Sequence, residues 1–199
     1  MDISQFRSSI NRRGILLSNK FLVVVTPPPG MFSKTKSFRD MVARASSVSF
    51  PVATLMVVDG HLRYGHGVPE RMPYSVNFSE VTADFVLSRD AEELGMFNLW
   101  LNQVFNFDTS KGIWAENSQA GGTVFEVGYK SQYATTVTIY VYNDSSDRVV
   151  EITLVDAFPA ATNLHNLDWE ATNAPQKLSI NFAYRNYIMK TVAKLPDIT

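Results

Sequence analysis

The chain has 199 residues, a net charge of −1 and no cysteine. That length suits one large domain or two small ones. The missing thiols exclude a disulfide scaffold, thiol catalysis and thiolate metal sites, and the missing basic excess excludes phosphate binding driven by bulk charge.

Residues 1 to 19 are polar and mixed, and are expected to form an arm or a short helix. MDISQFRSSINRRG lacks the apolar heart of a secretory leader. No later apolar run approaches the ~18 to 20 residues of a membrane span, so no membrane anchoring is expected. FLVVV, Phe21 to Val25, is predicted as a short buried strand stopped by Pro27-Pro28-Pro29-Gly30. Residues 31 to 41 form a polar connection. A strand is expected from Val42 to Phe50, ending at Pro51, with Ala53 to Val58 continuing past the proline. Asp59-Gly60 is a turn signal, which predicts a hairpin over 52 to 64. Gly65, Gly67 and Pro69 mark a loop.

Met72, Tyr74, Val76 and Phe78 then alternate with polar or turn residues, and so do Val81, Ala83, Phe85 and Leu87. The phase slips at Ser79-Glu80, where a bulge or bend is expected. A helix over about 90 to 106 follows, with Asp90 as N-cap and Glu93 as its capping-box partner. Leu94, Phe97, Leu101, Val104 and Phe105 repeat at helical spacing, with Trp100 on the flank of the stripe. Glu92, Asn98 and Asn102 lie opposite.

Residues 108 to 122 are a loop. Strands are predicted at 123 to 129 and 132 to 142 around a turn at Lys130-Ser131, and at 148 to 156 after the turn at 143 to 147. Phe158-Pro159 is expected to break that strand. A two-faced strand over 177 to 188 closes the chain, with Leu178, Ile180, Phe182 and Tyr184 against Lys177, Ser179, Asn181 and Arg185. About eight or nine strands and one helix argue for a mainly β protein: an antiparallel sandwich or barrel with one flanking helix.

The residues offer little chemistry. His61 and His66, near Asp59, Glu70 and Arg71, are the best catalytic or zinc candidates, and a metal-dependent hydrolase would be built there. HLRYGH has no motif with known mechanics, however, and histidines five apart on a hairpin and loop need not converge. Gly65-His66-Gly67 and Gly121-Gly122 lack the strand, loop and helix context of a phosphate loop. Asn143, Asp144 and Asp147 lack the glycine and terminal Glu of a calcium loop. Trp100 could roof a ligand pocket, but its spacing favours core packing. No cofactor is expected.

The strand faces say more. One face of each later strand is apolar. The other carries Thr136, Thr138 and Tyr140, then Glu151 and Thr153, then Ser179 and Asn181. Such a face either meets water or lines a wide channel.

The order of elements resembles the tail tube proteins of contractile-tailed bacteriophages. The likeness rests on FLVVV, a strand ending in Ser49-Phe50-Pro51, a long region with Tyr64-Gly65 and Pro69, and Tyr74 to Leu87 as paired strands. A helix with Phe97 and Trp100, then Ala157-Phe158-Pro159, Leu164, Trp169 and a closing strand with Phe182-Ala183-Tyr184 complete it. The type VI secretion tube protein shares that fold.

The resemblance implies a structural protein of the virion tail with no enzyme activity, assembled in the bacterial host cytoplasm. It implies hexameric rings that stack into a hollow conduit for DNA, with sheath, baseplate and terminator proteins as partners. The tube domain would span 20 to 190, between the 1 to 19 arm and a 191 to 199 tail. His61, Tyr64, His66, Pro69 and Met72 would touch a neighbouring subunit or ring. Glu151, Thr153, Ser179 and Asn181 are candidates for the lumen, and Glu92 and Glu93 for an outer helix face towards the sheath. The 1 to 19 arm and the 108 to 122 loop look longer than a minimal family member needs. A baseplate tube initiator, or a secretion-system tube protein of the same fold, is the alternative.

Overall fold

The computed structural model describes residues 3, 16–34, 38–39, 44–60, 70–107, 126–143, 147–165, 167, 169 and 174–191. Nine strands are found there: β1 Phe21–Val25, β2 Ala45–Val48, β3 Ala53–Asp59, β4 Arg71–Phe78, β5 Val81–Val86, β6 Thr135–Tyr142, β7 Arg148–Leu164, β8 Lys177–Ala183 and β9 Asn186–Thr191. A 3-10 turn covers Pro29–Lys34. The main helix, α1, is Glu92–Val104, and a single helical turn, α2, is Lys130–Tyr133.

Seven strands form one antiparallel sheet in the order β1-β6-β7-β8-β5-β2, with β9 also paired to β7. The two ends of this order approach each other, and an apolar groove of about 420 Å³ lies between β1 and β2, lined by Leu17, Phe21, Val48, Phe50 and Ile139. The sheet is thus a barrel left open at one seam. β3 and β4 form a separate two-stranded ribbon.

Alternation builds the core, because successive side chains of a strand point to opposite faces. Val81, Ala83 and Phe85 of β5, Val137 and Ile139 of β6, Ile152 and Leu154 of β7, and Leu178, Ile180 and Phe182 of β8 are all buried. Phe97 and Trp100 of α1 insert among them. Phe97 lies 5.6 Å from Phe85 and stacks on Trp100 at 6.1 Å. Trp100 is fully buried, and its indole N–H donates to the carbonyl of Tyr133 at 2.9 Å. That bond ties the helix to α2 and meets the need of a buried indole for a partner.

Several expectations are corrected. Asp90 does not cap the helix. The N-cap is Ala91, in the left-handed region at φ 49° with no side-chain cap bond. Ser88 supplies the polar partner instead: its hydroxyl donates to Glu93 Oε2 at 2.7 Å and its N–H to the same oxygen at 3.0 Å. Glu93 therefore keeps the reach-back role, with a partner two residues earlier. The buried stripe is also rotated, to Glu93, Met96, Phe97, Trp100 and Gln103. Leu94 and Val104 pack only at its edge, and Phe105 is exposed. The rotation centres Phe97 and Trp100, both fully buried, on the core, and it brings Glu93 inside, where Ser88 bonds it.

The hairpin is corrected too. β3 does not turn at Asp59-Gly60 onto residues just beyond. It pairs with β4, from Ala53 opposite Phe78 to Asp59 opposite Arg71, with a register shift between Met56 and Val57. β4 and β5 are consequently not a pair; β5 lies between β2 and β8. The phase slip at Ser79-Glu80 marks the chain passing from one sheet to another.

Pro159 does not end its strand. β7 runs 17 residues through it. The first part pairs with β6 and β9, the second with β8 alone, so a residue lacking an N–H is accommodated, and a register shift between Pro159 and Ala161 absorbs the distortion. The bend comes earlier, at Asp156, where φ is 55°. Lys130 and Arg185 reach its carboxylate at 2.9 and 3.5 Å. The hydrogen bond from Lys130 holds Asp156 below the usual carboxylate range, against a smaller effect of burial. The closing strand is likewise two strands, β8 and β9, bent opposite Asp156, where Arg185 N–H donates to the Val155 carbonyl at 3.0 Å. The strand expected at 123 to 129 is, in its described part, one isolated bridge between Phe105 and Val127, and the expected Lys130-Ser131 turn is the start of α2.

Candidate assembly surfaces

The ribbon is the most unusual surface. All seven residues of β3 are exposed, as are seven of the eight in β4. Leu55 stands opposite Val76 in the register, and they are 65% and 45% exposed. Val57, Val58, Met72 and Tyr74 add further exposed apolar surface. A two-stranded ribbon alone in water is marginally stable at best, and scattered exposed apolar residues need no explanation whereas a contiguous set does. Asp59 and Arg71 pair at 3.3 Å across its far end, both well exposed.

Met72 is thus on an exposed strand facing Val58. His61, Tyr64, His66 and Pro69 lie outside the described residues, as do the 108 to 122 loop and most of the 1 to 19 arm and 191 to 199 tail. Among the described residues no group of three His, Cys, Asp or Glu could hold a metal. No described helix is long and apolar enough to cross a membrane.

Glu151, Thr153, Ser179 and Asn181 are half-buried and face away from the core, their strand neighbours Ile152, Leu154, Leu178 and Ile180 being fully buried. They form two patches separated by the bend at Asp156. Glu151 and Thr153 stand opposite Tyr140 and Thr138 on one side and Lys190 and Ile188 on the other. Arg148 lies 3.5 Å from Glu151, with its guanidinium 3.9 Å above the Tyr140 ring.

Ser179 and Asn181 belong to a network that sequence reasoning did not find. Ser47 and Ser179 both donate to the carboxylate of Asp84, and His165 Nε2 is 3.1 Å from Ser179 Oγ. Thr82 donates to Asn181 at 3.0 Å. The network crosses β2, β5 and β8 to the end of β7. Burial would raise the Asp84 pKa, but the two serine hydroxyls, His165 and Lys177 outweigh it and hold the carboxyl below its ordinary range. A polar residue on each outward strand position was the only signal available; nothing in the sequence says that Asp84 neighbours Ser179, 95 residues away.

Glu92 is exposed on α1. Glu93 is not: only 7% of its side chain is exposed, and Arg44 lies 3.3 Å from it. Burial would raise its pKa, but Ser88 and Arg44 lower it on balance. Glu93 joins α1 to the entry of β2 and offers nothing to the outside.

A family profile described as "phage tail tube protein" matches residues 16–190. No curated protein sequence matches. Among solved structures, the chain resembles one from the sheath-tube complex of an extracellular contractile injection system, PVC, in its extended state, with a TM-score of 0.61 at 16% identity, over 96% of this chain and 99% of that one. It also resembles one from the tube-terminating cap of the anti-feeding prophage, with a TM-score of 0.61 at 12% identity, over 90% and 93% of the two chains. A third is from the anti-feeding prophage baseplate, with a TM-score of 0.56 at 16% identity, over 89% and 97%. At such identities the likeness is one of fold.

Proposed function

The chain belongs to the phage tail tube protein family, and from that premise we propose that it is the main subunit of a tail tube. Hexameric rings of it stack into a hollow conduit that delivers DNA to the host. The single observation that carries the assembly reading is the β3–β4 ribbon: a long, separate, apolar element that a lone subunit leaves uncovered. A second copy is the natural cover, since a head-to-tail contact repeated about an axis closes into a ring.

In this reading the 51 to 73 region, with His61, Tyr64, His66, Pro69 and Met72, meets a neighbouring subunit or ring. Residues 20–190 are the tube domain. Glu151, Thr153, Ser179 and Asn181 line the lumen. On that face the acidic Asp84 and Glu151 offset its cations: Arg148 lies against Glu151 and Tyr140, Lys190 stands opposite Glu151, and Lys177 acts on Asp84. A conduit whose cations are balanced by neighbouring carboxylates has no basic excess with which to grip phosphates. Glu92, without Glu93, is the acidic residue left to face a sheath. Baseplate and terminator proteins bound the tube, which is built in the host cytoplasm and carried in the virion. The family is one of structural proteins, which favours this reading over a hydrolase built on His61 and His66.

The test is negative-stain electron microscopy of the purified protein, with light scattering. Hollow tubes are expected. Single rings that refuse to stack would replace the main subunit with a tube initiator. A monomer that adds to neither itself nor a tube or baseplate template would overturn the proposal.

A further inference from the structure

We infer that Phe78, Tyr184 and Tyr187 are positioning residues that fix the direction in which the β3–β4 ribbon leaves the barrel. The inference rests on the ribbon being an interface between copies.

The ribbon leaves through a narrow neck. Ser49 N–H donates to the Thr82 carbonyl at 2.8 Å, and Thr82 N–H to Ser49 Oγ at 2.9 Å. One step outward, Ser79 N–H donates to the Val52 carbonyl at 3.1 Å. These bonds hold the two chain segments side by side. The Ser49–Thr82 bonds end on β5, at the barrel's edge, and beyond them only Ser79–Val52 spans the neck; that bond joins one segment to the other and does not set the tilt of the pair.

From within the ribbon, Phe78 reaches back to the barrel. It is the last residue of β4, and its ring meets Tyr187 edge-on at 5.8 Å and Tyr184 at 6.1 Å. The two tyrosines lie 6.4 Å apart on either side of the bend between β8 and β9. That bend is tied to β7 by Arg185, through the Val155 carbonyl and the Asp156 carboxylate. The aromatic trio therefore rests on a fixed point, and Phe78 couples the root of the ribbon to it. Edge-on aromatic contacts are directional, which a greasy contact is not.

The Tyr184 hydroxyl has no hydrogen-bond partner among the described residues although it is buried. Burial and the neighbouring Tyr187 push its pKa up. What the site uses of Tyr184 is the ring.

The chain lacks cysteine, so spin labels at Thr54→Cys and Ser46→Cys report the distance from ribbon to barrel by pulsed EPR without background. In Phe78→Ala the distance distribution should broaden. If only about a tenth of the subunits then hold the competent direction, apparent assembly affinity falls about tenfold. Tyr184→Phe should leave both unchanged. Phe78→Leu, which keeps apolar bulk without the ring, stands in if Phe78→Ala fails to fold, and should broaden the distribution as well.

An unchanged distribution would overturn the inference, and so would a broadened one with normal assembly. Leu55→Lys separates the two levels: if it blocks assembly while Phe78→Ala does not, the interface stands and the positioning role falls. If Leu55→Lys assembles normally, the interface reading itself fails.

Discussion

Lysine placed on the apolar face of the ribbon should abolish assembly and leave the subunit folded. Leu55 and Val76 stand opposite each other with 65% and 45% of their surfaces exposed. Fully burying a Leu or Val contributes about 1.5 to 3 kcal/mol, so covering the exposed half of each contributes roughly 1 kcal/mol per residue. Leu55→Lys with Val76→Lys thus removes about 2 kcal/mol per contact, close to thirtyfold in affinity. The true loss is larger, since both ammonium groups must be desolvated when the face is covered. Within the subunit neither side chain supports the core, and exposed substitutions of this kind move stability by no more than about 0.5 kcal/mol. Thermal denaturation should therefore match the parent, while light scattering shows subunits and micrographs show no tubes. Normal tubes from this variant would refute the burial of that face. A collapsed melting temperature would show that the ribbon is integral to the barrel.

Trp100→Ala should cost about 3 to 5 kcal/mol, lowering the melting temperature by on the order of 10 °C, because the ring is fully buried and its loss also orphans the Tyr133 carbonyl. Stability should fall in acid. Asp84, Glu93 and Asp156 are all held below their ordinary ranges, so their contribution is complete above about pH 4 to 5 and is lost as pH drops through the lower folded values; a melting temperature that is flat from pH 6 to 2 would contradict this. Glu151→Lys or Ser179→Lys should slow DNA passage in assembled particles, measured as infectivity at normal tube length. Full infectivity would remove those residues from the lumen.

The alternating strands were legible because burial on one face writes itself into every second residue. β1, β5 and β6 lie close to where that pattern predicts them, as does the main helix, while β7 and β8 begin where expected and end elsewhere. The helix stripe was misplaced by about one residue position: the polar Glu93 and Gln103 lie inside it, which an apolar pattern does not mark, and Ser88 and Arg44 partner the Glu93 charge. Ala53 to Val58, expected to continue the preceding strand past Pro51, instead starts a separate ribbon and is exposed on both faces.

What the sequence determined by itself was therefore which residues prefer apolar surroundings and at what period. Which strands become neighbours was decided only by the tertiary structure. Pairing β3 with β4 rather than across Asp59-Gly60, carrying β7 through Pro159, and bringing Asp84 to Ser179 all depend on backbone hydrogen bonds between distant segments. Every residue but proline offers the same N–H and C=O to that pairing, so its outcome leaves no mark on local composition.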